Sequence, residues 1–251
     1  MRFWAVSSWL LGSTLSPGAN SQEPRARVRA PEMLRYAHDE DMNQETRSER
    51  SRAQILDGAL KLFSHRGYGA TSVQEIADAA GVSKGNVYHH FPDKESIFRE
   101  LLDQYFQAMS TPEFPFNRAL ADGTFPENLE SLGRAARETV RRYREHVALS
   151  YVDVVEFDGS HIRKFYSEMS DRFSAFLKAH GMEAELKSKL QDGLSPISAV
   201  MLATRIFYNY FSIEILFGVR DHFGKETDEV VSEISRILRH GMLKNGAPRK
   251  A

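Results

Sequence analysis

RGYGATSVQEIADAAGVSKGNVYHHFPDKESIF, Arg66–Phe98, decides how this chain is read. Ser72 and Glu75 form an S-x-x-E capping box, which opens a helix by satisfying backbone donors that the helix itself leaves unpaired. Val73, Ile76, Ala77 and Ala80 follow at helical spacing. Gly81 supplies the left-handed residue that ends the helix. Ser83 caps a second, short helix, SKGNVYHH, which Phe91-Pro92 closes because the residue before proline avoids the α region. A helix, a tight turn and a short second helix make a helix-turn-helix, the unit that lays a recognition helix in the major groove of DNA.

Upstream, Thr46-x-x-Glu49 is a second capping box and predicts a first helix running to about His65, with Ile55, Leu56, Ala59, Leu62 and Phe63 on one face and Gly67 as its C-cap. Three helices then share one small core. Arg47, Arg50 and Arg52 either touch phosphate or form part of a solvated face. In the recognition helix Val82 and Val87 face the core. That leaves Ser83, Lys84, Gly85, Asn86, Tyr88, His89 and His90 for DNA or water. Lys84 suits guanine O6/N7 or phosphate, and Asn86 suits adenine or phosphate. Gly85 disfavours helix, and its use is to let a backbone come close. Tyr88 could instead be core, Lys84 solvated, and His90 packed under the next helix. Adjacent side chains on a helix point about 100° apart, so His89-His90 is not read as a metal site.

The motif resembles the DNA-binding segment of the TetR family of bacterial transcription regulators through Gly67, Thr71, Ile76, Ala77, Ala80, Gly81, Val82, Ser83, Gly85, Val87, Tyr88, His90, Phe91, Lys94 and Glu95. The residues after it match that family only in being helical and amphipathic. The resemblance implies an all-α fold: an N-terminal three-helix helix-turn-helix DNA-binding domain, plus a C-terminal helical ligand-binding and dimerisation domain. It implies that Tyr88 and His90 contact phosphates, joined by Lys94 from the fourth helix and by Thr71 and Ser72 from the start of the second. It further implies a cytoplasmic homodimer, paired through the last two long helices on a palindromic double-stranded operator. Such a protein acts most simply as a repressor released by a small apolar or aromatic/acyl effector; an activator or a ligand-dependent DNA binder of the same fold is the alternative.

Composition sets bounds around this. The chain has 251 residues, 41% of them hydrophobic, ample for a core. It has no cysteine, which excludes disulfides, thiolate catalysis and Cys-type zinc sites. The formal net charge is −1, so no global basic signature announces nucleic acid. The string Gly81-Val82-Ser83-Lys84-Gly85 fits G-x-S-x-G but lies in the turn between two helices rather than on a strand-to-helix elbow, and no Walker loop or H-E-x-x-H motif is present, so neither a catalytic site nor a cofactor is expected.

Residues 1–45 read as a disordered extension or as upstream sequence behind a misassigned start. The opening MRFWAVSSWLLG has some look of a signal peptide, but its apolar run is too short and broken to span a bilayer. Residues 46–92 are the DNA-binding domain, 93–245 the helical regulatory and dimerisation domain, and 246–251 a disordered tail. Asp93 caps a linking helix, and TPEFPFNRALADGTFPEN reads as a Pro/Gly-rich loop. Helices are expected at about Pro126–Glu145, His146–Phe157, Ser160–Gly181 and Glu183–Gln191. Ser195-Pro196 opens a helix that is apolar nearly all round, though Arg205, Asn209 and Glu214 argue against a membrane span. Arg205 and Glu214 orient a ligand or form an ion pair. Thr227 opens the last helix, striped by Val230, Ile234, Ile237 and Leu238. The candidate effector pocket is aromatic: Tyr105, Phe106, Tyr143, Tyr151, Phe157, Phe165, Tyr166, Met169, Phe173, Phe207, Tyr208 and Phe211, although any one of them taken singly reads more readily as plain core.

Overall fold

The computed structural model describes residues 32–244, with side chains from residue 45 onward. The expectations for residues 1–31 and for the tail 246–251 lie outside the described residues. The described residues from Thr46 onward form one compact unit, which holds the helix-turn-helix and every later helix. Among the described residues the secondary structure is helical, apart from one isolated bridge between Leu190 and Leu243.

The first helix, α1, runs Glu32–Arg66, so the Thr46–Glu49 box lies inside it rather than at its start, and residues 32–41 are helical rather than disordered. The reason is local: no Gly or Pro interrupts residues 32–57. The next three elements are α2 (Val73–Ala80), α3 (Lys84–His90) and α4 (Lys94–Met109). The Ser72–Glu75 box is formed in both directions, and Gly81 sits at φ 67°, ψ 31°. Ser83 Oγ accepts from Asn86 N–H, Phe91 ends α3, and Asp93 and Ser96 form a further capping box on α4. One core joins these helices through Ile55, Phe63, Ile76, Val87, Ile97 and Phe98, and takes in Leu149 and Ile162 from further along the chain.

The rest of the unit is α5 (Pro115–Ala121), α6 (Leu129–Arg142), α7 (Arg144–Phe157), α8 (Arg163–Ser167), α9 (Met169–Ala179), α10 (Met182–Lys189), α11 (Pro196–Leu216) and α12 (Thr227–Met242). The segment read as a Pro/Gly-rich loop thus holds a helix. Pro115 occupies its first turn, and Phe114, Phe116 and Leu120 are buried. Proline begins a helix without cost because its missing N–H would be unpaired there anyway. The single helix expected over 160–181 is two, and Ser160 caps neither. The start is delayed to Arg163 by Asp153, fully buried on α7: its carboxylate accepts from Ile162 N–H at 3.2 Å, and its backbone oxygen accepts from Gly159 N–H.

A second core unites α5, α6, α11 and α12 around Leu129, Leu132, Phe207, Phe211 and Val230. Glu214 is buried on α11, 3.5 Å from Arg137 of α6, and accepts from Thr227 Oγ1 at 3.0 Å. Within the chain, Glu214 therefore pairs with Arg137 of α6. No helix among the described residues is long and apolar enough to cross a membrane.

The packing around Gly133 and His146 is open to test. A Cβ on Gly133 of α6 would meet Val231 Cγ1 at 2.7 Å and Phe207 Cε1 at 2.9 Å. Gly133→Val should therefore cost about 2 kcal/mol by overpacking, despite the better helix propensity, and calorimetry should show a thermal midpoint several degrees lower. His146 stacks on Tyr105 with ring centroids 5.6 Å apart, and burial lowers its pKa, with Glu145 opposing. A lowered pKa means that the unfolded chain takes up this proton first, so stability falls as pH drops through the ordinary histidine value of about 6.5. Thermal midpoints at pH 7.5 and 5.5 should differ less in His146→Phe than in the wild type.

Candidate nucleic-acid interface and effector cleft

The short helix α3 presents Lys84, Gly85, Tyr88 and His89 to solvent, with Tyr88 49% exposed. Val87 is buried beneath them, as the sequence expects, and Val82 is partly buried. Tyr88 is therefore not core. A Cβ on Gly85 would find only Ser83 Oγ, at 3.8 Å, so nothing within the fold requires glycine there. Asn86 is half-buried; its backbone N–H is held by Ser83, while its Oδ1 is enclosed without a hydrogen-bond partner. His90 is half-buried, and burial lowers its pKa, reinforced by His89 and Arg52. His89 and His90 lie edge to face at 5.1 Å, and among the described residues no group of three His, Asp or Glu could hold a metal ion.

The other expected DNA contacts divide. Ser72 is exposed at the head of α2, engaged with Glu75 in the capping box. Thr71 is only 1% exposed and donates its hydroxyl to Gly67 O at 2.9 Å, so the side chain braces the turn between α1 and α2. Lys94 does likewise. Its ammonium donates to Tyr68 O and Thr71 O, both at 2.8 Å, and lies 4.0 Å from the Tyr68 ring centroid. Burial lowers the Lys94 pKa, while Glu156 and Glu75 raise it. Two of its three donors are thus engaged inside the protein. Arg52 pairs with Glu100 at 2.9 Å and covers Phe91; Arg47 and Arg50 are exposed near the same end of the unit.

The turn Gly67–Thr71 has a second partner that sequence reasoning missed. Glu156, near the end of α7, accepts from Tyr68 N–H at 2.8 Å and from Gly69 N–H at 2.5 Å, one bond to each carboxylate oxygen. Gly67 and Gly69 were the available signal, since two glycines so close together admit another group to the backbone. Three residues before Glu156, Asp153 Oδ1 lies 2.6 Å from His161 Nδ1, and His161 Nε2 lies 3.3 Å from Glu95 Oε1 in the first turn of α4.

The aromatic set named from the sequence does not gather around one cavity. Tyr105, Phe207 and Phe211 are packed in the core; Tyr143, Tyr208 and Phe173 lean against it, and Met169 is half-buried. Tyr151 and Tyr166 are exposed, and Phe157 packs with the helix-turn-helix core. A cleft of about 420 Å³ opens between α4 and the α8–α9 segment, and only Phe106 and Phe165 of the aromatic set line it. Their rings stack at 4.2 Å, and the Arg172 guanidinium lies 5.1 Å from Phe165 while donating to Ser110 Oγ at 2.7 Å. Asp103, Gln107, Thr111, His161, Lys164 and Glu168 complete the wall. An aromatic pattern gives no pointer to a cleft whose walls are mostly polar.

Residues 55–101 match the family model described as bacterial regulatory proteins, tetR family. Over 146 residues the chain is 31% identical to the transcriptional regulator AcrR of Shigella flexneri, covering 55% of this chain and 67% of that one. It is 32% identical over 123 residues to the transcriptional repressor KstR2 of Rhodococcus jostii, covering 49% of this chain and 59% of the relative, so the match spans less than two thirds of that protein. The solved structure of the ketosteroid transcriptional regulator KstR2 of Mycobacterium tuberculosis superposes with a TM-score of 0.51 at 21% identity, over 77% of this chain and 95% of that one. A TetR family transcription regulator from Marinobacter aquaeolei gives 0.56 at 17% identity, over 80% and 100%. At such identities the structural likeness establishes the fold alone.

Proposed function

Because the chain belongs to the TetR family of bacterial regulatory proteins, we propose that it is a homodimeric, ligand-responsive transcription regulator of the cytoplasm that binds a palindromic operator and represses from it. The observation that carries this reading is the exposed face of α3, where Lys84, Tyr88 and His89 surround a glycine whose missing side chain leaves open space. Base edges and phosphates are the partners that such a face suits, with Lys84 facing the bases and Tyr88 and Ser72 facing phosphates. Repression is favoured over activation by relatives that are themselves repressors, KstR2 among them.

Dimerisation through α11 and α12 is supported by apolar side chains that these helices leave in water: Leu202 and Ile206 on α11, and Ile237, 68% exposed, on α12. A second copy would cover them, and twofold symmetry would set two α3 helices about 34 Å apart, one turn of B-DNA. The cleft beside α4 is the effector site in this reading. It suits a small molecule with a flat apolar face for Phe106 and Phe165, and polar groups for Ser110 and Arg172. An effector acts only by binding one domain arrangement more tightly than another, and α4 forms both a wall of the cleft and part of the helix-turn-helix core.

The test is titration of a duplex recovered by selection from random DNA. Lys84→Ala and Tyr88→Ala should each weaken binding by about 1–3 kcal/mol with dimer mass unchanged. Gly85→Ala should stabilise the fold slightly through helix propensity and still weaken binding, because its methyl group intrudes on the DNA. Full affinity in all three variants would place the DNA elsewhere.

A further inference from the structure

The backbone of Gly67–Thr71 leads from α1 towards α2, and two of its amides and two of its carbonyls are held by side chains from outside both helices. The Glu156 carboxylate of α7 takes the amides of Tyr68 and Gly69, one to each oxygen. Lys94 of α4 takes the carbonyls of Tyr68 and Thr71. The close approach depends on glycine. A Cβ at Gly67, where φ is +88°, would stand 2.7 Å from Glu156 Oε1, and one at Gly69 would stand 3.0 Å from Oε2. Between the two charges lies the Tyr68 ring, under the Lys94 ammonium and edge-on to Phe157 at 4.6 Å. Ser72, which caps α2, comes directly after this turn, and α2 leads through Gly81 to α3.

The end of α7 that carries Glu156 is itself fixed. Asp153, one turn earlier, holds His161 and the Ile162 amide, and His161 lines the cleft. The hydrogen bonds of Asp153 to the cleft wall and those of Glu156 to the turn before α2 are therefore joined by less than one turn of α7. We infer that Glu156 is a positioning residue for DNA binding: it touches no DNA, yet its carboxylate on the Tyr68 and Gly69 amides holds the helix-turn-helix in its DNA-reading posture and gives the regulatory helices a second hold on it besides α4. The inference rests on the regulator reading above. A carboxylate on two backbone amides makes charge-assisted bonds, stronger than neutral ones, although water reaches this carboxylate and weakens them.

The experiment compares the full-length protein with Glu156→Gln and Glu156→Ala, in two measurements. On the selected duplex, both variants should bind about three- to tenfold more weakly, while the slope of log affinity against log salt stays that of the wild type, because no phosphate contact is lost. In amide hydrogen exchange without DNA, protection should fall at Tyr68 and Gly69 and persist at Ile76, Val87 and Phe98. Unchanged affinity in both variants overturns the inference, whatever the exchange shows. Exchange that quickens throughout the helix-turn-helix core also overturns it, because Glu156 then serves general stability rather than posture. A wild-type protein that selects no DNA defeats the regulator reading. Variants that bind like a competent wild type defeat only this inference.

Discussion

In the six residues between α1 and α2, the amides of Tyr68 and Gly69 and the carbonyls of Tyr68 and Thr71 are bonded by two charged groups from elsewhere in the chain, Glu156 and Lys94. The turn is thereby tied to α7 through Glu156 and to α4 through Lys94. The left-handed Gly67, the stacked Tyr68 and the buried Thr71 hydroxyl all serve the same turn. The placement of Ser72, of α2 and finally of α3 depends on it.

That dependence gives the two cores distinct tasks. The core of α1–α4 is completed by Leu149 from α7 and by Ile162, so the helix-turn-helix does not close on itself. The second core, around Phe207 and Phe211, is tight enough that α6 needs glycine at position 133 to reach α11 and α12. A rigid bundle of this kind moves as a body, and small shifts pass to what is attached to it. The cleft lies where the two meet, between α4 and the α8–α9 segment, and a ligand there touches His161 on one side and the linking helix on the other. The cleft and the helix-turn-helix are thus joined through α4, α7 and the hydrogen bonds between them.

The helix-turn-helix was legible in the sequence almost to the residue, because its signals are local: two caps, one left-handed glycine, one proline and a short apolar period. The Ser72–Glu75 box, Gly81, Ser83, Phe91 and Asp93 are all where the pattern puts them. What the sequence obscured depends on contacts far apart in the chain. The late start of α8 at Arg163, after buried Asp153 has taken the Ile162 amide, is one such case, and no local rule announces it. Lys94 and Thr71 match a DNA-contact motif, yet are turned inward to the turn they brace. The aromatic set is largely packing, whereas the cleft draws on residues such as Gln107, Lys164 and Arg172 that resemble any solvated helix face. Periodicity distinguishes inside from outside; it does not distinguish a filled interior from a hollow one.

Whether the exposed face of α3, doubled by dimerisation, reads a particular DNA sequence is tested most directly by selection. The purified dimer is incubated with random double-stranded DNA at about 150 mM salt, where binding through phosphates alone is suppressed, and the retained molecules are sequenced. The expected result is enrichment of an inverted repeat whose half-sites are centred one helical turn, or a small multiple of it, apart. Retention of DNA without sequence preference, or of none by a folded dimer, would contradict that role for α3.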